Sequence, residues 1–321
     1  MKNNFRLKLS SALLCLFVLA GTLAGCNISV NVGSTSHETS AVSSAVDYKT
    51  SDPENSSSVS ENSSSLVTVH FLDAGQGDSI FSELPDGKTM LIDASTADCG
   101  ENIVKYIKNK GYSKVDYLVA THPHADHIGG MTRVVNQLDI GEIYMPKASA
   151  TTKTYKNLLT AIKDKGKKIN TAKAGVEMFS YDGISANILA PNSDEYEETN
   201  NYSAVVKLVC GEKSFLFMGD AEKESEDEIR TDVSADVLKV GHHGSSSSTS
   251  GKFLNKVSPQ IAVISCGKDN SYGHPHKETL SALESAGVRV YRTDEMGTIT
   301  VTTDGKALDV STGGASVKGE I

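Results

Sequence analysis

From residue 66 onward the sequence predicts an α/β fold in which two sheets pack together with helices outside. Three observations predict it. About 250 residues of ordinary globular composition remain there, enough for one large buried core, since 38% hydrophobic and 22% charged residues exclude whole-chain disorder and fibrous classes. An N-terminal strand meander opens the region, and strand and helix signals then alternate in two successive stretches. The meander comes first: residues 66–72 alternate into the turn Gly75-Gln76-Gly77, and 80–84 and 90–92 flank Pro85-Asp86-Gly87. Residues 101–109 place Ile103, Val104 and Ile107 on one helical face and stop at Gly111; 115–120 is a continuous apolar run suited to a covered strand. In the second stretch 203–210, 215–218, 237–240 and 261–265 read as strands, and 222–230 and 279–286 as helices.

Residues 1–65 read differently. Lys2, Arg6 and Lys8 precede an apolar run over 9–23 that is too short for a comfortable membrane span and predicts a signal peptide. Leu23-Ala24-Gly25-Cys26 then resembles a lipobox, which implies cleavage after residue 25 and diacylation of Cys26. Residues 27–65 hold 14 Ser among 39 positions, with no Leu, Phe or Trp, too little apolar surface to offset the entropy of ordering. The expected organisation is a signal peptide (1–25), a lipidated Cys26 opening a Ser-rich tether (26–65), and one catalytic-size domain (66–321). The expected location is extracytoplasmic, lipid-anchored to the cell membrane. Beyond the signal, no segment approaches about 18 consecutive apolar residues.

Loss of residues 1–25 would remove three of 31 basic residues and none of 40 acidic ones, leaving −12. Such a balance argues against a general polyanion-binding surface. Locally, Lys153, Lys156, Lys163, Lys165, Lys167, Lys168 and Lys173 surround only Asp164; the run reads as a solvated face, with a phosphate-rich ligand as the alternative. Cys99, Cys210 and Cys266 lack zinc-like spacing and read as packing residues, with one disulfide as the alternative.

The chemistry falls at strand ends. Directly after the strand at 115–120 comes Thr121-His122-Pro123-His124-Ala125-Asp126-His127, three imidazoles and a carboxylate in one loop. His122 and His124, two apart on extended backbone, point to one side and can grip one ion; Asp126 and His127 follow the turn and can grip a second. Two ions need ligands from elsewhere. Asp220 follows the apolar run 215–218, well placed to bridge, and Gly241-His242-His243-Gly244-Ser245 follows 237–240 with an imidazole pair.

This HxHxDH, GD and late-His layout resembles the metallo-β-lactamase superfamily. The similarity is greatest to the hydrolase domain of ComEC-type competence proteins and related cell-wall phosphorylcholine esterases. Phe71-Leu72-Asp73-Ala74-Gly75-Gln76-Gly77-Asp78-Ser79, Leu91-Ile92-Asp93, Gly219-Asp220-Ala221-Glu222, Gly241 to Ser245 and Tyr272-Gly273-His274-Pro275 carry it. The resemblance implies an αββα sandwich with two metal ions at one edge, and a hydrolase. It implies His122, His124 and Asp220 around the first ion, and Asp126, His127, Asp220 and one of His242 or His243 around the second. A further His expected before Asp220 is missing, since none occurs from 128 to 241; Asn200, Asn201, Ser203 or water could complete the first site. Imidazole-rich ligation favours zinc, and the carboxylates allow manganese.

Two divalent ions activate water near neutral pH and offset the charge of pentacovalent phosphorus, so phosphoester hydrolysis fits. The expected substrate is extracellular nucleic acid or a phosphate-containing wall polymer. A lactone, thioester or β-lactam hydrolase on the same fold, or a non-enzymatic binding lipoprotein, are the alternatives. Asp126, His274 and Glu222 are the catalytic candidates. Asn270, Tyr272 and Ser245 are candidates for substrate contact, and Asp93, Gln76 and Asp78 for orienting ligands. His70 reads as a strand residue.

Overall fold

The computed structural model describes residues 66–319. The expected signal peptide, Cys26 anchor and Ser-rich tether lie outside the described residues.

The strands in chain order are β1 Val67–Phe71, β2 Ile80–Glu83, β3 Thr89–Ile92, β4 Lys114–Val119, β5 Asp139–Met145, β6 Ile169–Thr171, β7 Val176–Tyr181 and β8 Ile184–Ala190, then β9 Val205–Cys210, β10 Lys213–Phe217, β11 Val237–Lys239, β12 Ile261–Ile264, β13 Arg289–Arg292, β14 Thr298–Thr303 and β15 Leu308–Gly314. They form two sheets, ordered β15-β14-β1-β2-β3-β4-β5-β6 and β13-β12-β11-β10-β9-β8-β7. The N-terminal meander is antiparallel, as its turns require. β3, β4 and β5 run parallel in the first sheet, and β10 to β13 in the second.

The pleat explains why these strands read as unbroken apolar runs. Met90 and Ile92 of β3, Phe215 and Phe217 of β10, and Ile261 and Val263 of β12 all enter the core between the sheets. Their alternates Leu91, Leu216, Ala262 and Ile264 face the outer helices. Phe71 meets Phe217 across the interface at 6.1 Å between ring centroids, and Tyr117 meets Phe179 at 4.5 Å. Truncating Phe217 to Ala would cost about 3–5 kcal/mol.

Helices cover both outer faces. Gly100–Asn109 buries Ile103, Val104 and Ile107, and Lys153–Asp164 buries Leu158, Ala161 and Ile162, both against the first sheet. Gly251–Val257 and Lys277–Ser285 cover the second. The order is helix, sheet, sheet, helix: an αββα sandwich of the metallo-β-lactamase type. The lysine-rich run begins on the outer face of Lys153–Asp164, capped by Thr152 Oγ1, which accepts from Tyr155 N at 3.2 Å. Lys153, Lys156, Lys163, Lys165, Lys168 and Lys173 are exposed, and the run is a solvated face. Cys99, Cys210 and Cys266 are buried and free, so the disulfide alternative falls away.

The 222–230 helix is shorter than expected: it spans Lys223–Glu228, with Glu222 extended just before it. Parallel strands β4, β10, β11 and β12 end on one edge, where their loops converge. Two glycines permit the approach. Gly219, at φ +53°, would bring a Cβ to 2.9 Å from Thr121 Cβ, and a Cβ on Gly77 (φ +128°) would collide with the Asp126 carbonyl.

Candidate metal centre

β4 ends at Val119, and the chain leaves the sheet through Thr121 and His122 before the helical turn Ala125–Ile128. This geometry sends His122 and His127 inward, both buried, while His124 stays exposed and Asp126 half-buried. Asp220, buried at the end of β10, is the focus. Its Oδ2 lies 3.2 Å from His127 Nε2, 3.5 Å from His243 Nε2, and 3.8 Å from both His122 Nε2 and His242 Nε2. Asp126 Oδ2 stands 3.5 Å from His243 Nε2 and 4.0 Å from His127 Nε2, and His124 Nδ1 lies 2.9 Å from His122 Nε2.

Each converging imidazole is tied down through its other nitrogen. His127 Nδ1 donates to Asp93 Oδ2 at 2.8 Å. His122 Nδ1 donates to Thr121 Oγ1 at 3.1 Å, and that hydroxyl donates to Asp93 Oδ2 at 2.6 Å. His243 Nδ1 donates to the Ser265 carbonyl at 3.0 Å, and His242 Nδ1 to Glu222 Oε1 at 3.0 Å. Such anchoring turns each Nε2 inward, where with no ion present it faces Asp220 as a donor and, once it gives up that proton, can ligate a metal. Burial alone would raise the Asp220 pKa, but His127 and His243 outweigh it and hold the carboxyl well below its usual range. Its Oδ1 is buried and accepts no hydrogen bond from the protein. Inward imidazole nitrogens, two ionised carboxylates and an unsatisfied buried oxygen fit divalent cations. His122, His127 and Asp220 form one potential ligand cluster, and Asp126, His127 and His243 another.

The imidazole pair divides its work. His243 stands with Asp126 and His127, its Nε2 3.3 Å from His127 Nε2. His242 turns its Nε2 toward Asp220, and Glu222 holds it from behind. His242 and His243 both have positive φ, 47° and 54°, a conformation costing about 1–3 kcal/mol at each non-glycine residue. It splays two consecutive side chains toward one centre. Of the expected first-site supplements, Asn201 is committed elsewhere: its Oδ1 accepts from Glu222 N at 3.1 Å and its Nδ2 donates to Glu224. Ser203 Oγ accepts from Asp220 N at 3.1 Å. Asn200 lines the cavity, and its buried Oδ1 is unsatisfied by the protein.

One residue escaped the sequence reading. Lys239 shares the parity of Val237 on β11, so its side chain enters between the sheets and is fully buried. Its Nζ lies 2.9 Å from Asp78 Oδ2 and donates to the Val240 carbonyl at 2.8 Å. Asp78 Oδ1 in turn lies 3.3 Å from His243 Nδ1. Burial would raise the Asp78 pKa, but Lys239 and His243 outweigh it and keep the carboxyl below its usual range. A lysine inside an apolar strand run was the available signal, because buried lysines are almost always paired.

A cavity of about 310 Å³ opens over the centre, lined by Gln76, His124, Asp126, Asn200, Asp220, His242, His243, Tyr272 and His274. Gln76 Oε1 also accepts from Gly267 N at 3.1 Å, pinning the wall. His274 presents a buried Nδ1 without a protein partner. Burial and the neighbouring His243 and His242 imidazoles push its pKa down to about 4. Three expected site residues lie outside this cavity's lining. Ser245 is buried outside the cavity lining, its Oγ 3.0 Å from Ser247 Oγ within the 241–247 turn. Asn270 spends its whole amide on its own loop, accepting from Tyr272 N and His274 N and donating to the Gly267 and His274 carbonyls. Glu222 meets His242 rather than the cavity, so it is a positioning residue.

Fold and site define the class: residues 72–268 match the Metallo-beta-lactamase superfamily, and the chain belongs to it. Its relatives include ComEC-type competence proteins. ComE operon protein 3 of Bacillus subtilis (strain 168) is 32% identical over 256 residues, covering 74% of this chain and 33% of that protein. Competence protein ComA of Neisseria gonorrhoeae is 29% identical over 237 residues, covering 73% and 32%. The chain thus spans about a third of the length of these relatives. Among solved structures, CmlA, a diiron beta-hydroxylase from Streptomyces venezuelae, shares the fold at a TM-score of 0.51 and 14% identity, covering 73% of this chain and 53% of that one. The family is one of metal-dependent hydrolases.

Proposed function

We propose that this chain is a dinuclear metal-dependent phosphodiesterase, carried outside the cell membrane on a lipid attached to Cys26, that cleaves nucleic acid or a phosphate-containing wall polymer. The observation that carries the activity is the convergence of four imidazole Nε2 atoms on Asp220 Oδ2 beneath an open cavity. His122, His124 and Asp220 would hold the first ion, with Asn200 or His242 at its open side. Asp126, His127, Asp220 and His243 would hold the second. Zinc suits the imidazoles, and manganese the carboxylates.

When bound, the ions supply an activated water nucleophile and offset charge on the phosphorus. The chain's own groups do the rest. Asp93, Glu222 and the Ser265 carbonyl orient the ligand imidazoles, and Asp126 and Asp220 set their spacing. His274 is held neutral beside His242 and His243, where it can donate or accept one hydrogen bond at the leaving oxygen.

The test is hydrolysis by the zinc- or manganese-loaded full chain of bis-p-nitrophenyl phosphate, single-stranded and duplex DNA, phosphorylcholine esters and nitrocefin. Turnover of a phosphodiester that EDTA abolishes supports the proposal. Turnover of nitrocefin alone would make the chain a β-lactam hydrolase, and no turnover of any phosphodiester would overturn the proposal.

A further inference from the structure

We infer that Tyr272 is a stacking platform for one unpaired base of a single-stranded nucleic acid whose scissile phosphate lies over the metal cavity. The inference rests on the phosphodiesterase reading and names its substrate. Tyr272 is 64% exposed, yet its ring lines the cavity together with Asp220 and His124. One face lies on the His274 ring at 5.6 Å between centroids and 20° from parallel. The residue is exposed but held. Tyr272 N donates to Asn270 Oδ1 at 3.2 Å, and the Tyr272 carbonyl lies 3.3 Å from His276 Nε2. Asn270 ties the same loop at Gly267 and His274, and His276 Nδ1 accepts from Ser246 N at 3.0 Å.

An aromatic ring kept in water at a site mouth, with little of its loop's freedom left to lose, is preorganised for a flat partner. Base–aromatic stacking is tolerant of sequence and needs a base free of its own neighbours, which a duplex does not offer. The loop's outer sides face two further cavities of about 480 and 430 Å³, which give flanking nucleotides room; Lys268 lines both, but Asp269 lines both too, with Asp98 in one and Asp294 and Glu295 in the other, so the base and not the backbone charge supplies the grip. A polyol phosphate presents no flat face. A quaternary ammonium is usually gripped by several rings around it, whereas here one ring offers one open face.

The test uses the zinc-loaded full chain, Tyr272→Phe and Tyr272→Ala. Substrates are a single-stranded oligonucleotide, the same strand with an abasic residue beside the cleaved phosphate, and its duplex. The parent and Tyr272→Phe should favour the base-bearing strand over the abasic one in KM by about 5- to 150-fold, and Tyr272→Ala should bring that ratio near one. A 2-aminopurine at that position should be quenched on binding by the parent and Tyr272→Phe and not by Tyr272→Ala. An unchanged ratio in Tyr272→Ala, equal use of duplex and single strand, or a selective loss on phosphorylcholine esters overturns the inference. If the parent cleaves no phosphodiester, the activity reading fails separately. Quenching needs no turnover and still decides whether the platform exists.

Discussion

Replacing Lys239 by Met removes one charge from the floor of the site and keeps most of the side-chain volume. Lys239 and Asp78 form a fully buried ion pair at 2.9 Å, and Asp93, Asp126 and Asp220 crowd the same region. With the ammonium gone, the buried Asp78 carboxylate keeps only His243, 3.3 Å away, as a partner, and breaking the pair costs about 3–5 kcal/mol. For a domain of this size that lowers Tm by roughly 6–20 °C in EDTA. A bound divalent cation supplies part of the lost charge, so the deficit should shrink in excess zinc. The double variant Lys239→Met/Asp78→Asn removes both charges and should recover most of the loss, as neutral replacements of buried pairs do. Calorimetry of the parent, Lys239→Met, Asp78→Asn and the double variant, with and without zinc, measures all of this. A shift under about 2 °C in EDTA, or a deficit that Asp78→Asn leaves untouched, would refute the argument.

Asp220→Asn should lower occupancy of both ions, because Asp220 Oδ2 is the common focus, whereas His243→Ala should empty mainly the second site; metal analysis separates the two. His274→Ala should keep metal content and Tm near the parent while phosphodiester turnover falls at least about 100-fold; loss of metal would make it a ligand instead. Glu83 accepts from His70 at 2.7 Å and meets Lys110 at 3.2 Å, which lower its pKa to about 2. A depressed carboxylate stabilises the fold above its unfolded value, near 4.5, and that contribution disappears as pH falls toward 2. Melts of Glu83→Gln in EDTA should lie below the parent at pH 7 by about 1–2 kcal/mol after discounting for solvent screening, with the gap closing in acid. Cys26→Ser should move the protein out of the membrane fraction or leave it unprocessed; unchanged lipid labelling would contradict the anchor.

Much of this centre was legible because its ligands sit in short runs after apolar strands. The loop from His122 to His127 carries its chemistry in consecutive residues, and Asp220 follows a run that can only be a covered strand. The His242–His243 ambiguity could not be settled from adjacency. The positive φ of both residues turns His243 to Asp126 and His242 to Glu222, a backbone choice no spacing rule encodes. Ser245 reads as a substrate contact because it closes the Gly241-His242-His243-Gly244-Ser245 run, and Asn270 because it shares a Gly-Pro-punctuated loop with Tyr272 and His274. Their hydrogen bonds close on their own turns, which only the folded loops reveal. Lys239 was hidden by the opposite effect, since a charge in a strand usually marks a solvent face. Here its parity with Val237 faces Asp78, more than 150 residues away in sequence. The edge strands β7 and β15 carry weaker patterns, being partly exposed.

Metal titration of phosphodiester hydrolysis tests the central claim most directly. The metal-stripped full chain, given increasing zinc or manganese, should gain turnover of a single-stranded oligonucleotide and saturate at two equivalents per chain. Hydrolysis that persists in EDTA, or none with two ions bound, would contradict the account.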